Sequence, residues 1–363
     1  MKATRTRPAV IYIVWIPVLL ASVWAAHWGA EHLASPLEKL RSKWGISVAA
    51  GGALIGLAAA SPEVGIATTS ALRGVSDIGL GSSIGANVFA IPIMVTTAFI
   101  VTRRRNLGNG DGGEGDQGEA GNGTGQEDSE GGEHANHERH VADRVLVIDR
   151  QAVTVQALPY LGLVAGFAAV TLPAPWRGLQ PIDAVLLAAG YLVYAAQALV
   201  RDRSDGEDVE WSTREIGLAV GGVGALVVGA FFTVLSTENI VSGLGIEPVV
   251  GGLLITAPMA ALPEVFATRS VVRSGQVTPG TTSVISDHAV TVTLSFVPLA
   301  LTTLQIGNLR LFVINLIGVA LVGVLYAAFG WWGGSEVGFR RWQIAGLVAV
   351  IPCWIVAVVI WGI

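Results

Sequence analysis

Long apolar runs separated by short breaks constrain the fold of this chain more than any other feature of its sequence. The runs lie near residues 8–27, 46–72, 77–101, 152–172, 181–200, 214–235, 246–272, 278–304, 309–330 and 340–362. A helix needs about 20 apolar residues to cross a hydrocarbon layer about 30 Å thick, and most of these runs are that long. Only 13% of the residues are charged, about half the fraction in soluble proteins. We therefore expect an all-α polytopic membrane protein with ten transmembrane helices, and a soluble enzyme is excluded.

The distribution of basic residues between the loops predicts the orientation of the chain. With ten spans, sixteen of the 22 Lys and Arg residues fall on one side and six on the other. Cytoplasmic loops are the ones enriched in Lys and Arg, so both termini are predicted to lie outside the cell membrane. The basic N-terminus argues the other way. The first run also resembles a signal peptide, and its removal is an alternative that the sequence leaves open.

An acidic, glycine-rich segment divides the chain. Residues 106–143 contain ten acidic residues, eleven glycines and one arginine, a composition that cannot bury enough apolar surface to fold. We interpret it as a disordered cytoplasmic loop. The predicted parts are 1–105 with helices 1–3, the loop 106–150, 151–200 with helices 4–5, an acidic linker at 201–213, and 214–363 with helices 6–10.

The remaining reactive side chains exclude several classes of function. His134, His137 and His140 repeat every third residue in the acidic loop, but nothing there fixes ligand geometry, so we favour a solvated tract over a metal site. Cys353 is the single cysteine and lies in an apolar run. The net charge of -5 offers no basic surface for nucleic acid. Because there is no glycine-rich phosphate loop, nucleotide is not predicted as a partner; membrane lipid and inorganic cations are.

A segment of the second span recurs 201 positions later, in the seventh. Residues 51–64 correspond to 252–265, and both copies end in Pro-Glu-Val. Each copy is the second span of a five-span half, and because five is odd the second half must begin on the opposite side of the membrane. The sequence therefore predicts two inverted five-helix repeats with cores at 46–101 and 246–304, as in many secondary transporters.

The centre of each copy carries a proline followed by a carboxylate. Pro62 and Pro263 lack a backbone donor, so each span is predicted to break there and to free carbonyl groups. Glu63 and Glu264 follow directly. An ionised carboxylate near the bilayer centre costs at least about 2.5 kcal/mol, so it needs a cation partner. Two carboxylates with freed carbonyls form an all-oxygen site, which suits a hard cation such as Ca²⁺.

The next span of each half adds further oxygen ligands. Ser83 and Asn87 are four residues apart and share a helix face, and Ser283 and Asp287 have the same spacing. The uninterrupted offset of 201 pairs Asn87 with His288, whereas one deletion pairs it with Asp287. We prefer Asp287 because a carboxylate is the better Ca²⁺ ligand. If His288 faces the site instead, a group that titrates near neutral pH favours proton coupling.

Together these motifs resemble the cation/calcium exchangers, a family that includes the sodium/calcium antiporters. Ser61-Pro62-Glu63 and Leu262-Pro263-Glu264 are similar to its Gly-Thr-Ser-Leu-Pro-Glu core, and Gly85-Ala86-Asn87 and Ser286-Asp287 to its second element. The resemblance implies a Ca²⁺ and Na⁺ antiporter whose first spans slide past rigid repeats. The implied cation ligands are Glu63, Glu264, Asn87, Asp287, Ser83 and Ser283. It implies no cofactor and no enzymatic activity.

The chain departs from this family where hydroxyl groups are expected. Ala59-Ala60 and Ala260-Ala261 replace the Thr-Ser pairs, which removes likely Na⁺ ligands. Three alternatives therefore stay open. They are a H⁺/Ca²⁺ antiporter, a relative that does not transport, and an intramembrane protease that uses two carboxylates sharing a proton.

Overall fold

The computed structural model describes residues 8–45, 56–103, 145–148, 156–173, 177–200, 208–273, 277–331 and 338–362. Within these ranges nearly every residue lies in a helix. The elements are α1 (Pro8–Lys43), α2 (Ser61–Arg73), α3 (Ser76–Val101), β1 (Leu146–Val147), α4 (Leu158–Thr171), β2 (Gly178–Leu179), α5 (Pro181–Val200), α6 (Thr213–Leu244), α7 (Pro248–Gly251), a π-helix (Gly252–Thr256), α8 (Ala257–Arg273), α9 (Val277–Thr291), α10 (Phe296–Leu301), β3 (Leu304–Gln305), α11 (Leu309–Trp331), β4 (Gly338–Phe339) and α12 (Arg341–Gly362).

The predicted class, a helical membrane protein, is confirmed. In the described part of the chain, seven helical segments are long and apolar enough to cross a membrane. Two shorter apolar helices, Leu158–Thr171 and Pro181–Gln197, coincide with the fourth and fifth predicted spans. Residues 46–55 of the second predicted span lie outside the described residues. The acidic segment 106–143, with its three histidines, and residues 201–207 of the predicted linker also lie outside them. The number of ten spans stays a prediction.

The first span is longer than the sequence predicts. Its run was expected to end at residue 27, but α1 continues to Lys43. The polar extension is stabilised by a neighbouring helix, because Lys39 Nζ lies 2.6 Å from the Glu215 carboxylate at the start of α6. A partner contributed by a distant part of the chain cannot be read from local composition.

The sixth span is also longer than predicted, for the same reason. The polar residues after position 235 were expected to end it, yet α6 continues for nine more residues. The Thr237 hydroxyl hydrogen-bonds that of Thr256 at 2.8 Å, and Glu238 accepts from Arg73 at 2.7 Å. These cross-helix partners allow polar side chains inside a membrane helix.

The two predicted breaks at proline have different outcomes. In the first copy the backbone turns at Ala60 and α2 begins at Ser61, so a break beside Pro62 is confirmed. In the second copy the prediction is wrong, because α8 continues through Pro263. The irregular backbone lies earlier, in the π-helix. A π-turn accommodates an extra residue, and membrane helices tolerate an internal proline because neighbouring helices satisfy the freed backbone groups.

Helix α3 lies at the centre of the molecule and contacts most of the other long helices. Its small residues allow this close packing, since a Cβ atom at Gly85 would lie 2.6 Å from the Ala257 Cβ on α8. A Cβ atom at Gly81 would collide with the Val249 carbonyl of α7. Small residues four apart are a common device for bringing two membrane helices together. The spacing places α3 directly against the helix that carries Glu264.

The offset of 201 also relates pairs of contacts. Gly85 lies against Ala257, and Gly56 lies against Ser286, where a Cβ atom at Gly56 would be 3.1 Å from the Ser286 Cβ. Adding 201 to 85 gives 286, and subtracting 201 from 257 gives 56. The sequence repeat is therefore accompanied by a matching pair of helix contacts.

Helices α1 and α6 form a closely packed pair. Gly29 on α1 lies against Gly222 on α6, and a Cβ atom at Gly229 would lie 2.8 Å from the Ala26 Cβ. The hydroxyls of Ser22 and Thr233 hydrogen-bond at 2.9 Å. Contacts within this pair are far more extensive than the contacts of α1 with any other element. Two short antiparallel ladders, β1 with β4 and β2 with β3, join the loops.

Candidate functional site

Three buried carboxyl groups meet between the helices. Glu63, Glu264 and Asp287 each place a carboxylate oxygen within 4.8 Å of the other two. Calcium binds oxygen at about 2.3–2.6 Å, so oxygens on opposite sides of one ion lie about 4.6–5.2 Å apart. The observed separation therefore fits a single ion bound by all three groups.

Three different helices deliver these groups. Glu63 lies in the first turn of α2, three residues after the turn at Ala60. Glu264 follows Pro263 in the middle of α8, and Asp287 lies in α9. All three side chains are buried, with exposed fractions of 2%, 9% and 3%.

In the part of the chain that the structure describes, the three carboxyl groups have no lysine or arginine partner. Among the described residues, one oxygen of each group has no hydrogen-bond partner: Oε2 of Glu63, Oε2 of Glu264 and Oδ1 of Asp287. A buried carboxylate without compensation is costly, so this arrangement points to a bound cation.

Asp287 and His288, the two residues of α9 between which the sequence left the choice open, have different surroundings. Asp287 joins the two glutamates, whereas His288 is fully buried with its ring centroid 6.3 Å from that of Tyr160. His288 Nδ1 lies 3.4 Å from Asp287 Oδ2, and neither ring nitrogen has a hydrogen-bond partner among the described residues. His288 therefore contacts the site through Asp287.

Of the three uncharged side chains that the sequence predicts as ligands, two are buried and one is exposed. Ser83 and Asn87 are buried, and the Ser83 hydroxyl has no hydrogen-bond partner in the described structure. The Asn87 side chain is already engaged: its Nδ2 donates to the Ser83 carbonyl at 2.8 Å and its Oδ1 accepts from the Tyr160 hydroxyl at 3.0 Å. Ser283 is exposed, so the structure does not place it with the buried carboxyl groups. Spacing of four residues gives a shared helix face but not a shared depth.

The freed carbonyl at the first break has a partner. Pro62 cannot donate to the carbonyl of Ala58, and the Ser61 hydroxyl donates to it instead at 2.7 Å. The second copy has Leu262 at the position that corresponds to Ser61, and its side chain is exposed. The two copies therefore differ in how they satisfy the backbone beside the site.

A small cavity adjoins the two glutamates, with room for about one water molecule. One wall comes from α1 and the others from the two repeat copies. The lining residues are Val23, Ala26, His27, Ala59, Pro62, Glu63, Ile66, Ala260, Pro263 and Glu264. The sequence did not single out His27, because it lies at the edge of an apolar run. Tyr160 was also missed, although a hydroxyl in an apolar span is a signal that a buried partner is needed.

A buried carboxylate cluster between membrane helices, bordered by a cavity, defines a class of protein: a multi-pass membrane protein that handles cations. The family of sodium/calcium exchanger proteins matches residues 14–200, slightly more than half of the chain. The chain therefore belongs to the sodium/calcium exchanger protein family, whose members are ion transporters and not enzymes. No curated protein sequence matches the chain.

Solved structures of the sodium-calcium exchanger NCX_Mj share the fold. The structure soaked with 100 mM Na⁺ and 10 mM Sr²⁺ matches with a TM-score of 0.60 and 16% identity, covering 96% of this chain and 98% of that one. The structure soaked with 2.5 mM Na⁺ and 10 mM Sr²⁺ gives a TM-score of 0.61 and 17% identity over 95% and 98%. At this identity the likeness shows the fold alone.

Proposed function

We propose that the protein is a secondary active antiporter of the plasma membrane that exports Ca²⁺ in exchange for Na⁺. The observation that supports this most strongly is the cluster of Glu63, Glu264 and Asp287, whose oxygens are spaced for one divalent ion. The Ser83 hydroxyl and the Asn87 oxygen are candidate neutral ligands. Because Ser283 is exposed, we do not include it among the proposed Ca²⁺ ligands.

The proposed transport mechanism depends on two inverted repeats of five helices. Two observations support the presence of these repeats. The offset of 201 relates both the Pro-Glu segments and the contacts of Gly85 and Gly56. The ladders β1–β4 and β2–β3 each join two loops that a ten-span chain places on the same side.

Alternating access requires that the site open to each side in turn. Helices α1 and α6 contact each other much more than they contact the remaining helices, so they are suited to move as one unit. The cavity beside Glu63 and Glu264 lies under α1. A shift of the α1–α6 pair would therefore change access to the carboxyl groups without rearranging the helices that hold them.

Calcium flux is the test of this function. Everted membrane vesicles containing the protein are expected to accumulate Ca²⁺ when an outward gradient of Na⁺ or H⁺ is imposed. Accumulation should disappear in the Glu63→Gln variant, whereas the matched Glu210→Gln variant, changed at an exposed glutamate outside the site, should retain Ca²⁺ uptake. Absence of flux from properly inserted wild-type protein would identify a relative that does not transport, and cleavage of a membrane peptide would identify a protease.

Serine substitutions at the cavity wall test whether Na⁺ is the ion that drives Ca²⁺ transport. Ala59 and Ala260 line the cavity beside the glutamates, whereas Ala60 and Ala261 are buried and do not. Because a monovalent ion depends on a full set of neutral oxygens, we expect weak Na⁺ dependence in the wild type. Ala59→Ser with Ala260→Ser should strengthen it, and Ala60→Ser with Ala261→Ser should not. Steep Na⁺ dependence in the wild type would contradict this expectation.

The proposed orientation has its own test. A cysteine placed in residues 106–143 of a Cys353→Ala background should resist impermeant thiol reagents applied to intact cells. Ready labelling would reverse the orientation that the positive charges predict.

A further inference from the structure

Two adjacent residues near the end of α6 bond to both copies of the repeat. The Arg73 guanidinium, in the last turn of α2, donates to the Glu238 carboxylate at 2.7 Å. The hydroxyl of Thr237 hydrogen-bonds that of Thr256 in the π-helix at 2.8 Å, and both threonines are fully buried. We call these two bonds the α6 clasp. It connects a member of the α1–α6 pair to α2 and to the π-helix that leads into α8, the elements that carry the two glutamates of the site.

The arginine of the clasp contacts α6 at two points. Its guanidinium carbon lies 5.3 Å from the centroid of the Phe231 ring, two helical turns before Glu238 on the same helix. A cation is attracted both by the face of an aromatic ring and by a carboxylate. The side chains of Arg73 and Glu238 are 28% and 38% exposed, so water can replace this bond when it opens. Unlike a buried ion pair, it can therefore break and form again at small cost.

The other end of α6 bonds to α1. Lys39 Nζ lies 2.6 Å from the Glu215 carboxylate, and Gly29 lies against Gly222. These bonds are internal to the α1–α6 pair and stay intact when the pair moves as one unit. The clasp instead crosses the boundary between the pair and the helices that hold the site. A displacement of α6 of about 1 Å along α2 is enough to take a 2.7 Å hydrogen bond beyond its normal range.

The second copy of the repeat does not form the equivalent ion pair. Arg273 lies in the last turn of α8, as Arg73 lies in the last turn of α2. It is exposed, and it forms no ion pair with a residue that the structure describes. Inverted repeats exchange roles when the site changes sides. An ion pair made by one copy therefore favours one of the two states.

Resting on the proposed function, we infer that the α6 clasp holds the α1–α6 pair in the state described here and must open before the ion site changes sides. Neither bond of the clasp involves a carboxyl group of the ion site. The clasp therefore sets the populations of the two states and the rate of exchange between them, and it leaves the ion ligands in place.

Cysteine pairs in a Cys353→Ala background test whether the clasp opens during transport. Arg73→Cys with Glu238→Cys, joined by a reducible bifunctional thiol reagent, ties α6 to α2. Lys39→Cys with Glu215→Cys, joined in the same way, ties α6 to α1. Cross-linking the first pair should abolish Ca²⁺ exchange in vesicles, and reduction should restore it. Cross-linking the second pair should leave exchange intact.

Spin labels measure the populations of the two states without relying on transport. Leu72→Cys and Leu244→Cys, also in the cysteine-free background, place labels at exposed positions near the ends of α2 and α6. Double electron–electron resonance should show two distances. Arg73→Gln should reduce the population with the distance of the described state about two- to fivefold relative to the other, as expected for one partly exposed ion pair. The matched Arg273→Gln variant should leave the ratio unchanged, and both variants should still bind Ca²⁺.

Two results would overturn the inference. Full exchange through the cross-link between positions 73 and 238 would make the contact a pivot that stays closed during transport. An Arg73→Gln variant with the distance populations of wild type would show that the ion pair does not favour either state. Failure of the proposed function looks different: uncross-linked protein would not exchange Ca²⁺ and Glu63→Gln would leave Ca²⁺ binding unchanged, while the Arg73→Gln shift in populations would persist.

Discussion

Replacing Glu63 by glutamine should change the ion-free protein and the ion-bound protein in opposite directions. The carboxylate oxygens lie within 4.8 Å of one another. At an effective dielectric constant of about 20, two like charges at this distance repel by about 3.5 kcal/mol. Glu63 therefore lies beside two further carboxyl groups, and among the described residues no lysine or arginine pairs with any of the three. Glu63→Gln removes this repulsion, so the ion-free variant should unfold at a higher temperature than wild type.

Calcium binding should weaken in the same variant. Removing one member of a buried charge pair costs about 3–5 kcal/mol, which corresponds to a loss of affinity of about two to three and a half orders of magnitude. The assay is thermal unfolding of the purified protein, followed by tryptophan fluorescence, over a titration with CaCl₂. Wild type should be stabilised by Ca²⁺ and Glu63→Gln should not respond in the millimolar range.

A surface variant supplies the control for this experiment. Glu238 pairs with Arg73 at 2.7 Å and is partly exposed, so Glu238→Gln should leave the Ca²⁺ response intact. If Glu63→Gln lowers the unfolding temperature without ion and keeps the wild-type Ca²⁺ response, then the carboxylate is structural. That pair of results would refute the ion-site assignment.

Two further predictions concern the helices that hold the site. Tyr160→Phe leaves the buried Asn87 oxygen without its donor, so it should destabilise the protein by about 1–3 kcal/mol, measured by denaturation, with little change in which ion is bound. Gly85→Ala introduces a Cβ 2.6 Å from the Ala257 Cβ and should cost about 1–3 kcal/mol, whereas Gly162→Ala, which meets open space, should not destabilise. Equal unfolding temperatures for the two glycine variants would contradict the close packing of α3.

The carboxyl groups of the site could be found from the sequence because they conflict with their surroundings. Glu63, Glu264 and Asp287 are charged residues within apolar runs, and such residues need a functional partner. The repeat supplied the pairing of the two glutamates, and calcium chemistry favoured Asp287 over His288. These arguments use the positions of the side chains and the ligand preference of calcium, and in the structure the three carboxyl groups lie close together.

Other features depend on contacts between distant parts of the chain. The lengths of α1 and α6 were underestimated because Lys39 and Glu238 look like the ends of membrane spans until their partners are known. Pro263 was expected to break its helix, but the π-helix absorbs the irregularity earlier. Ser283 has the correct spacing to share a face with Asp287, yet one turn of helix is enough to leave it exposed.

The charge of the site explains why exchange suits it better than free passage. A divalent ion bound between the three carboxyl groups offsets negative charge that no lysine or arginine among the described residues offsets. Without such an ion the carboxyl groups lie uncompensated in the membrane interior, where each ionised group costs at least about 2.5 kcal/mol. In the proposed mechanism, movement of the α1–α6 pair over an empty site is therefore opposed, and movement over a site refilled by other cations is not. We expect the coupling to follow from the cost of the empty, charged site, whichever monovalent ion refills it.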